Sequence, residues 1–598
     1  MPIYKAPMDD IKFVLHDVIG VEKLSEYEGY EEATRDLVDA VLEEGARLCE
    51  EVLQPLNLSG DQEGCTWHED GAVTTPKGFK EAYQQYIENG WTGMSADPNY
   101  GGQGLPHVLM TVMQEIICSA NFSFGMYPGL SHGAYDALHL HGSDDLKNTY
   151  LPKMVEGVWS GTMNLTEPHC GTDLGLIKTK AIPNEDGSYN VTGTKIFISA
   201  GEHDLTENII HLVLAKLPDA PEGTRGISLF VVPKFLVKED GSLGERNGVA
   251  CGSIEHKMGI HANSTCVMNF EEAKGWLVGQ PHKGLKAMFT MMNAARLAVG
   301  MQGLGIGEVA YQNAVAYAKD RLQGRSLSGT KQPDKPADSI IHHPDVRRML
   351  LTMKSFNEGA RMLAYWCGYH IDRTHKEGDE SSRQESDDLV SLLTPIIKSY
   401  LTDKGFEAAN LAMQTYGGHG YIAEYGVEQF ARDARIAQIY EGTNGIQALD
   451  LVGRKMGQNM GRLLRRFFHP AGDFIEKHQS NTELAEFVFP FAKTLAKLQQ
   501  ATANTALLGL KDKEEAGAAS MDYLNLFALN VMAYCWLQMV VVAQDKLENG
   551  GDLPKEFYES KIKTAKFFFA RILPEADSYF KKVMAGKETL MALDESAF

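Results

Sequence analysis

In this 598-residue chain the side chain best placed for proton chemistry is Glu441. It closes the run Arg432-Asp-Ala-Arg-Ile-Ala-Gln-Ile-Tyr-Glu441, with three apolar residues among the five before it and Gly442-Thr443 after it. A carboxylate approached through apolar neighbours loses hydration, its pKa rises, and it becomes a base that works near neutral pH. A solvated Glu before a glycine turn has the same local sequence. Upstream, Gln414-Thr-Tyr-Gly-Gly-His-Gly-Tyr-Ile carries Gly417 and Gly418 where an apolar helix ends. They serve as a C-cap or let a phosphate or ring approach the backbone. In Met163-Asn-Leu-Thr-Glu-Pro-His-Cys-Gly-Thr-Asp173, Thr166 and Thr172 flank a turn in which Gly171 admits close approach. Successive N–H groups there could hold an anion or a ring edge, although a Thr/Asp-rich loop that binds nothing reads alike. In Thr194-Lys-Ile-Phe-Ile-Ser199, strand alternation puts Phe197 and Ser199 on one face, as an aromatic plate beside a hydroxyl or as ordinary core.

These groups need elements to position them. Residues 36–160 read as helical, with Leu37, Val38, Val41, Leu42 and Leu48 on one face. Between 161 and 280 the pattern shifts to short runs: Tyr189–Thr192, Lys195–Ser199, Ile209–Ala215, Ile227–Val232 and Thr265–Phe270. Turns such as Asp186-Gly187 separate them, which predicts an antiparallel β domain or small barrel. Helical periodicity returns over 281–455, with long helices across Ala294–Arg321, Pro344–Ile371 and Asp387–Tyr416 and a loop at 327–337. A further helical segment covers 456–598, and residues 1–35 form an N-terminal extension. The expected fold is mainly α with a central β domain. Gly303-x-Gly-x-Gly307 falls inside a helix, where it predicts close helix packing and no dinucleotide fingerprint.

Composition limits the alternatives. A net charge of −22 repels phosphate backbones and anionic membranes, so no nucleic-acid partner is expected. The eight cysteines form no C-x-x-C pair, no metal site is expected, and dispersed thiols suit a cytoplasmic protein. Residues Met1–Asp10 show no secretion signal. Tyr523–Gln544 lacks charge and is long enough for a bilayer, but Asn525, Asn530, Gln538 and Gln544 interrupt it, so a buried bundle helix is expected and no membrane span.

Taken in order, Leu-Thr-Glu-Pro-x-x-Gly-Thr-Asp, Lys-Ile-Phe-Ile-Ser, Lys257-Met-Gly-Ile, Ala295-Arg296, Arg321-x-Gln323, Gly-Gly-His-Gly and Tyr-Glu-Gly-Thr resemble the acyl-CoA dehydrogenase family over residues 36–452. The resemblance implies that family's helical–β–helical fold, here with an additional C-terminal helical bundle. It implies FAD between the β domain and the following bundle, near Thr166, Gly171, Thr172, Phe197 and Ser199. Arg321, Gln323, Gln414, Gly417 and Gly418 would reach the flavin of a neighbouring subunit, so a homodimer is the least assembly, and Thr443 would lie near the cofactor's phosphates. Glu441 would be the base. Phe124 and Tyr127, with Met126, would line the acyl site, and Arg296 and Gly442 would contact the CoA ester. An electron-transfer flavoprotein would take the electrons.

Two departures stand out. Where the family has Arg-x-Gln-Phe-Gly, this chain has Arg321-Leu-Gln-Gly-Arg325, leaving Arg325 to compensate by charge, and Gly445 replaces a larger polar residue. Its length and its Gly60–Cys65 insertion resemble a long bacterial subgroup. Within it the whole chain most resembles members acting on 3-methylmercaptopropionyl-CoA, which implies oxidation of that ester to methylthioacryloyl-CoA, in dimethylsulfoniopropionate degradation in the bacterial cytoplasm. The rivals are a general medium- or long-chain acyl-CoA dehydrogenase and, from the basic cluster Arg454, Lys455, Arg462, Arg465 and Arg466, a flavin-containing nucleic-acid-binding protein on the same scaffold.

Overall fold

The computed structural model describes residues 2–598, which divide into two compact units. One comprises Gly45–Leu105 and Ile116–Ala298; the other comprises residues up to Glu44, Pro106–Glu115 and Val299–Phe598.

The first unit is built on a seven-stranded sheet. In order it runs Val249–Ile254, Thr265–Val278, Tyr189–Ser199, Lys180–Pro183, Asn208–Lys216 and Trp159–Asn164, and Ile227–Pro233 pairs with both Thr265–Val278 and Asn208–Lys216. The sheet is mixed where an antiparallel one was expected, because Trp159–Asn164 runs parallel to Asn208–Lys216. The turn signals report only the local hairpins; this pair is joined through the intervening strands. The two runs expected at 189–192 and 195–199 are one strand, Tyr189–Ser199. Gly193 sits at their junction because a Cβ there would lie 2.4 Å from Thr179 Oγ1. Asn208–Lys216 is buried at all but its last residue, which accounts for its unbroken apolar run.

The second unit is helical. Pro344–Lys376, Glu380–Tyr416, Ala485–Lys511, Lys513–Asn549 and Lys555–Phe567 are its long elements. Lys513–Asn549 is the one helix among the described residues long and apolar enough to cross a membrane, and its apolar stretch is buried inside this unit. Phe527 and Tyr534 on it meet Phe467 with ring centroids 5.3 and 5.8 Å apart. Small residues let two helices approach: a Cβ on Gly303 would lie 2.3 Å from the Leu401 carbonyl oxygen, and one on Gly405 would lie 2.2 Å from the Gly303 oxygen. The close packing expected of that glycine series thus falls between the segment around residue 303 and Glu380–Tyr416.

A buried ionic cluster ties distant segments of this unit. Arg361 pairs with Glu115 (2.5 Å), Glu308 (2.9 Å) and Asp10. Lys561 pairs with Glu358 (2.8 Å) and with Asp10. Burial opposes ionisation of Asp10, but Lys561 and Arg361 outweigh it and hold the carboxyl at about 2. A carboxyl depressed in the folded state contributes stability above its unfolded pKa of 3.8, and the contribution is lost as pH falls through about 2. Denaturant unfolding between pH 5 and 2 should therefore show a steeper loss of stability in the wild type than in Asp10→Asn. At neutral pH, Gly303→Ala should lose about 1–3 kcal/mol through overpacking against Leu401, read from the same unfolding curves.

Candidate active site

Glu441 lies half-buried in the helical unit with φ +56°, and Gly442 follows at φ +80°. A non-glycine residue in the left-handed region costs about 1–3 kcal/mol and persists only where its surroundings hold it. They do so here from both sides. Tyr440 donates its hydroxyl to Gln302 Oε1 at 2.5 Å. The Thr443 hydroxyl donates to the Gln438 carbonyl (3.3 Å), and the Gln438 amide donates to Asp403 (2.7 Å). Asn444, buried, receives Lys398 Nζ at 2.8 Å and donates to Asp403 at 2.8 Å and to the Ser399 carbonyl at 3.2 Å. Gln447 donates to the carbonyls of Glu441 (3.2 Å) and Gly442 (2.9 Å). At Gly445 an added Cβ would meet no atom within 4 Å, so the larger residue of the family has room here.

On the same unit, Glu380–Tyr416 ends where Gly417 turns with φ +60° and donates its N–H to the Gln414 carbonyl. Tyr416 stacks on Tyr317 with centroids 4.0 Å apart, and the Tyr317 hydroxyl lies 2.7 Å from His419 Nδ1. Arg321, Gln323, Gln414, Gly417 and Gly418 are all exposed, and a Cβ at either glycine would enter open space. The backbone of 321–323 is pinned by Ile340 N–H to Arg321 O (2.9 Å) and Gln323 N–H to Asp338 O (3.0 Å). Arg325 follows within the same loop. Its guanidinium is held within its own loop by Asp338 (3.3 Å) and by the carbonyls of Gln332 (3.0 Å) and Lys335 (2.6 Å).

In the β unit, the loop bearing Thr166, Gly171 and Thr172 is anchored by a buried ion pair. Lys195 Nζ lies 2.9 Å from Glu167 Oε1 and donates to the Leu165 carbonyl at 3.0 Å. Glu167 also accepts from the N–H groups of Lys178 (2.7 Å) and Thr179 (3.0 Å). Burial lowers the Lys195 pKa against the pull of Glu167. Burial would raise Glu167, but Lys195 and the Thr179 hydroxyl hold it below its ordinary value. Gly171 and Thr172 are exposed, and Thr166 is half-buried with its carbonyl accepting from Ile196 N–H at 2.9 Å. The metal-like grouping in the described residues, Glu167, His169 and Cys170, contains this same carboxylate, and a cation there would have to displace the Lys195 ammonium.

Simple alternation does not hold at Phe197. The pairing of Tyr189–Ser199 with Thr265–Val278 shifts register between Cys266 and Met268, and Phe197 has φ +59° and is 59% exposed. Bulges of this kind re-aim side chains beside functional sites. Phe197 thus turns an aromatic face to solvent on the unit that also carries the hydroxyls of Thr166, Thr172 and Ser199, groups that suit a planar, hydrogen-bonding ring.

Three residues expected at the substrate are buried. Phe124 is fully buried, with Phe79, Tyr83 and Tyr86 rings within 5.9–6.3 Å. Tyr127 is buried, donating to the Ala262 carbonyl (3.1 Å) and accepting from Ser264 N–H (3.3 Å). Both side chains are buried within this unit. Arg296 is buried at 5% exposure, as an interhelical contact would be. Of the basic cluster, Arg462 pairs with Asp388 (2.7 Å), Arg466 with Glu385 (2.9 Å) and Arg454 with Asp450. Arg462 and Arg466 are thus paired with acids distant in sequence, and Arg454 with one a helical turn away. Sequence reasoning missed Asn444 and Gln447, both plain amides in a short helix, whose only signal was their distance from Glu441.

Four family profiles match in succession. They are described as the acyl-CoA dehydrogenase N-terminal domain (38–158), its middle domain (162–273), its C-terminal domain (282–456) and an acetyl-CoA dehydrogenase C-terminal-like region (467–594). These define an oxidoreductase of the acyl-CoA dehydrogenase class. The chain belongs to the acyl-CoA dehydrogenase family. It is 42% identical to the 3-methylmercaptopropionyl-CoA dehydrogenase of Ruegeria pomeroyi, over 98% of this chain and 99% of that one. It is 34% identical to a broad-specificity linear acyl-CoA dehydrogenase of Mycobacterium tuberculosis, covering 100% of each. A Bacillus anthracis acyl-CoA dehydrogenase solved with FAD shares its fold at a TM-score of 0.75 and 20% identity, over 94% of this chain and 90% of that one.

Lys195→Met would leave the Glu167 carboxylate buried and unpaired. Unfolding should show a loss of about 3–5 kcal/mol, and the loop carrying Thr166 and Thr172 should become susceptible to limited proteolysis.

Proposed function

We propose that Glu441 is the catalytic base in α,β-dehydrogenation of an acyl-CoA thioester, and that the substrate is 3-methylmercaptopropionyl-CoA, which becomes methylthioacryloyl-CoA. The observation that carries the base assignment is the clamped left-handed turn at Glu441, last in the family's ordered series of motifs. The substrate reading rests on the full-length similarity to the Ruegeria protein. A linear acyl-CoA is the second reading, favoured by full-length similarity to the mycobacterial protein.

The cofactor is FAD. Thr166, Thr172 and Ser199 offer it hydroxyls and Phe197 an aromatic face, with Gly171 leaving the backbone open and Thr443 near its phosphates. When bound, the flavin accepts the hydride from the β-carbon. The chain's residues do the rest. The Glu441 carboxylate takes the α-proton, the α-carbon electron pair forms the C=C bond, and the β C–H bond breaks with its electrons. A thioester α-proton is weakly acidic, so the carbonyl needs polarising, and the Glu441 N–H, fixed by the turn, is the protein donor for it. Gly442 leaves space beside that carbonyl, and Arg296 is the candidate contact for the CoA arm. An electron-transfer flavoprotein is the acceptor. The assembly is a homodimer, a reading supported by the exposure of Arg321, Gln323, Gln414, Gly417 and Gly418. The central strands form a small barrel, supported by the two-sided pairing of Ile227–Pro233. The eight free cysteines suit the bacterial cytoplasm.

Glu441→Gln should stay yellow and bind CoA esters, while flavin reduction falls by about 10²–10⁴-fold, the share a general base supplies. Near-wild-type reduction would place the base elsewhere. Anaerobic mixing with a panel of acyl-CoAs, following flavin absorbance, should show faster bleaching by the thioether ester than by linear chains. The reverse order would favour the linear-chain reading.

A further inference from the structure

We infer that Gln447 is a positioning residue for the reaction: its side-chain amide sets the backbone turn that aims Glu441. This rests on the reading of Glu441 as the base. Gln447 is fully buried in the short helix Asn444–Asp450. Its Nε2 donates to two successive carbonyls, those of Glu441 (3.2 Å) and Gly442 (2.9 Å). These are the two residues in the left-handed region, at φ +56° and +80°. The rotation about Cα–C of each residue is fixed by where its carbonyl points. One amide therefore fixes ψ at both, and with it the direction of the Glu441 Cα–Cβ bond and of the adjoining peptide planes.

Two observations set this apart from ordinary capping. First, Gln447 Oε1 is buried and accepts no hydrogen bond among the described residues. Burying a polar atom without a partner costs free energy, so the side chain is retained for what its NH₂ group holds. Second, the strain at Glu441 is local. It lies at a non-glycine residue, two positions before the helix N-cap Thr443, whose own φ is −49°. Gln447 therefore stabilises a conformation whose evident product is the orientation of the carboxylate. Holding a reacting group to within a fraction of an ångström accounts for large rate factors, and a displacement of about 1 Å can cost about 100-fold.

The test uses the full-length flavoprotein and two near-isosteric variants. Gln447→Met fills the volume and removes both donors. Flavin reduction is followed per bound flavin after anaerobic mixing with 3-methylmercaptopropionyl-CoA or butyryl-CoA. Binding is measured separately with acetyl-CoA, which has no β-carbon and cannot be oxidised. The expected result is a reduction rate constant about 10–100-fold below wild type, with flavin content and acetyl-CoA affinity within about threefold. A structural role alone would lower the fraction holding flavin and leave the rate per flavin unchanged, and that result would overturn the inference. If Gln447→Met does not retain flavin, Gln447→Glu carries the test. Its carboxyl can donate one bond when protonated and faces two carbonyl oxygens as an anion when it is not. Its rate constant should fall with rising pH along an ionisation that wild type lacks; a profile coinciding with wild type would sink the idea. Glu441→Gln is measured in parallel. If that variant turns over normally the base assignment has failed, whereas a normal Gln447→Met beside an inactive Glu441→Gln means that only the positioning role has failed.

Discussion

The left-handed pair Glu441-Gly442 is the constraint on which the chemistry proposed for the helical unit depends. Left to itself, a glutamate at φ +56° relaxes into the ordinary helical or extended regions, and its carboxylate turns with it. What prevents this is a set of side-chain amides and hydroxyls: Gln447 from one side, Tyr440 through Gln302, and Asn444 through Lys398 and Asp403. That set exists because Gly303 and Gly405 bring helical backbones into contact. The same approach carries Gln302 beside the turn and aligns Lys398, Ser399 and Asp403 beneath Asn444. Packing at the glycines thus reaches function through hydrogen bonds of 2.5–3.3 Å rather than through any contact with a substrate.

The β unit solves a similar problem with charge. Its loop from Leu165 to Thr179 is held partly by packing, with Cys170 and Ile177 in a core that Leu165 and Leu174 pack against. The buried pair Lys195–Glu167 fixes it, and the two N–H groups that Glu167 accepts fasten the loop's far end. A buried pair of this kind contributes little net stability relative to an apolar pair, but it allows one geometry only. Phe197 is the other device in this unit. A bulge and a positive φ turn an aromatic ring outward that alternation would have aimed elsewhere.

Much of this was legible in the sequence. The helical, β, helical order followed from periodicity, and the glycine series at 303–307 announced close packing because nothing else explains small residues inside an apolar helix. The family was legible from an ordered series of motifs that includes Thr166, Gly417 and Glu441, though each segment alone was ambiguous. What was hidden was long-range. The parallel pairing of Trp159–Asn164 with Asn208–Lys216 has no local signature. Phe124 and Tyr127 carry the same apolar pattern whether they face a ligand or Phe79 and Ala262. Arg325 and the basic residues near 462 looked available because their acids, Asp338, Asp388 and Glu385, lie far along the chain. The turn at Glu441 was hidden too, since a positive φ at a glutamate contradicts local preference and is imposed by residues elsewhere.

The proton removal proposed for Glu441 can be isolated from hydride transfer. Acetyl-CoA has acidic α-protons but no β-carbon, so it cannot be dehydrogenated. Incubated in D₂O with the flavin-loaded protein, it should acquire deuterium at the α-carbon while the flavin stays oxidised, and the exchange should disappear in Glu441→Gln. Equal exchange in wild type and variant, or none in either while thioesters still bleach the wild-type flavin, would contradict the assignment of the base.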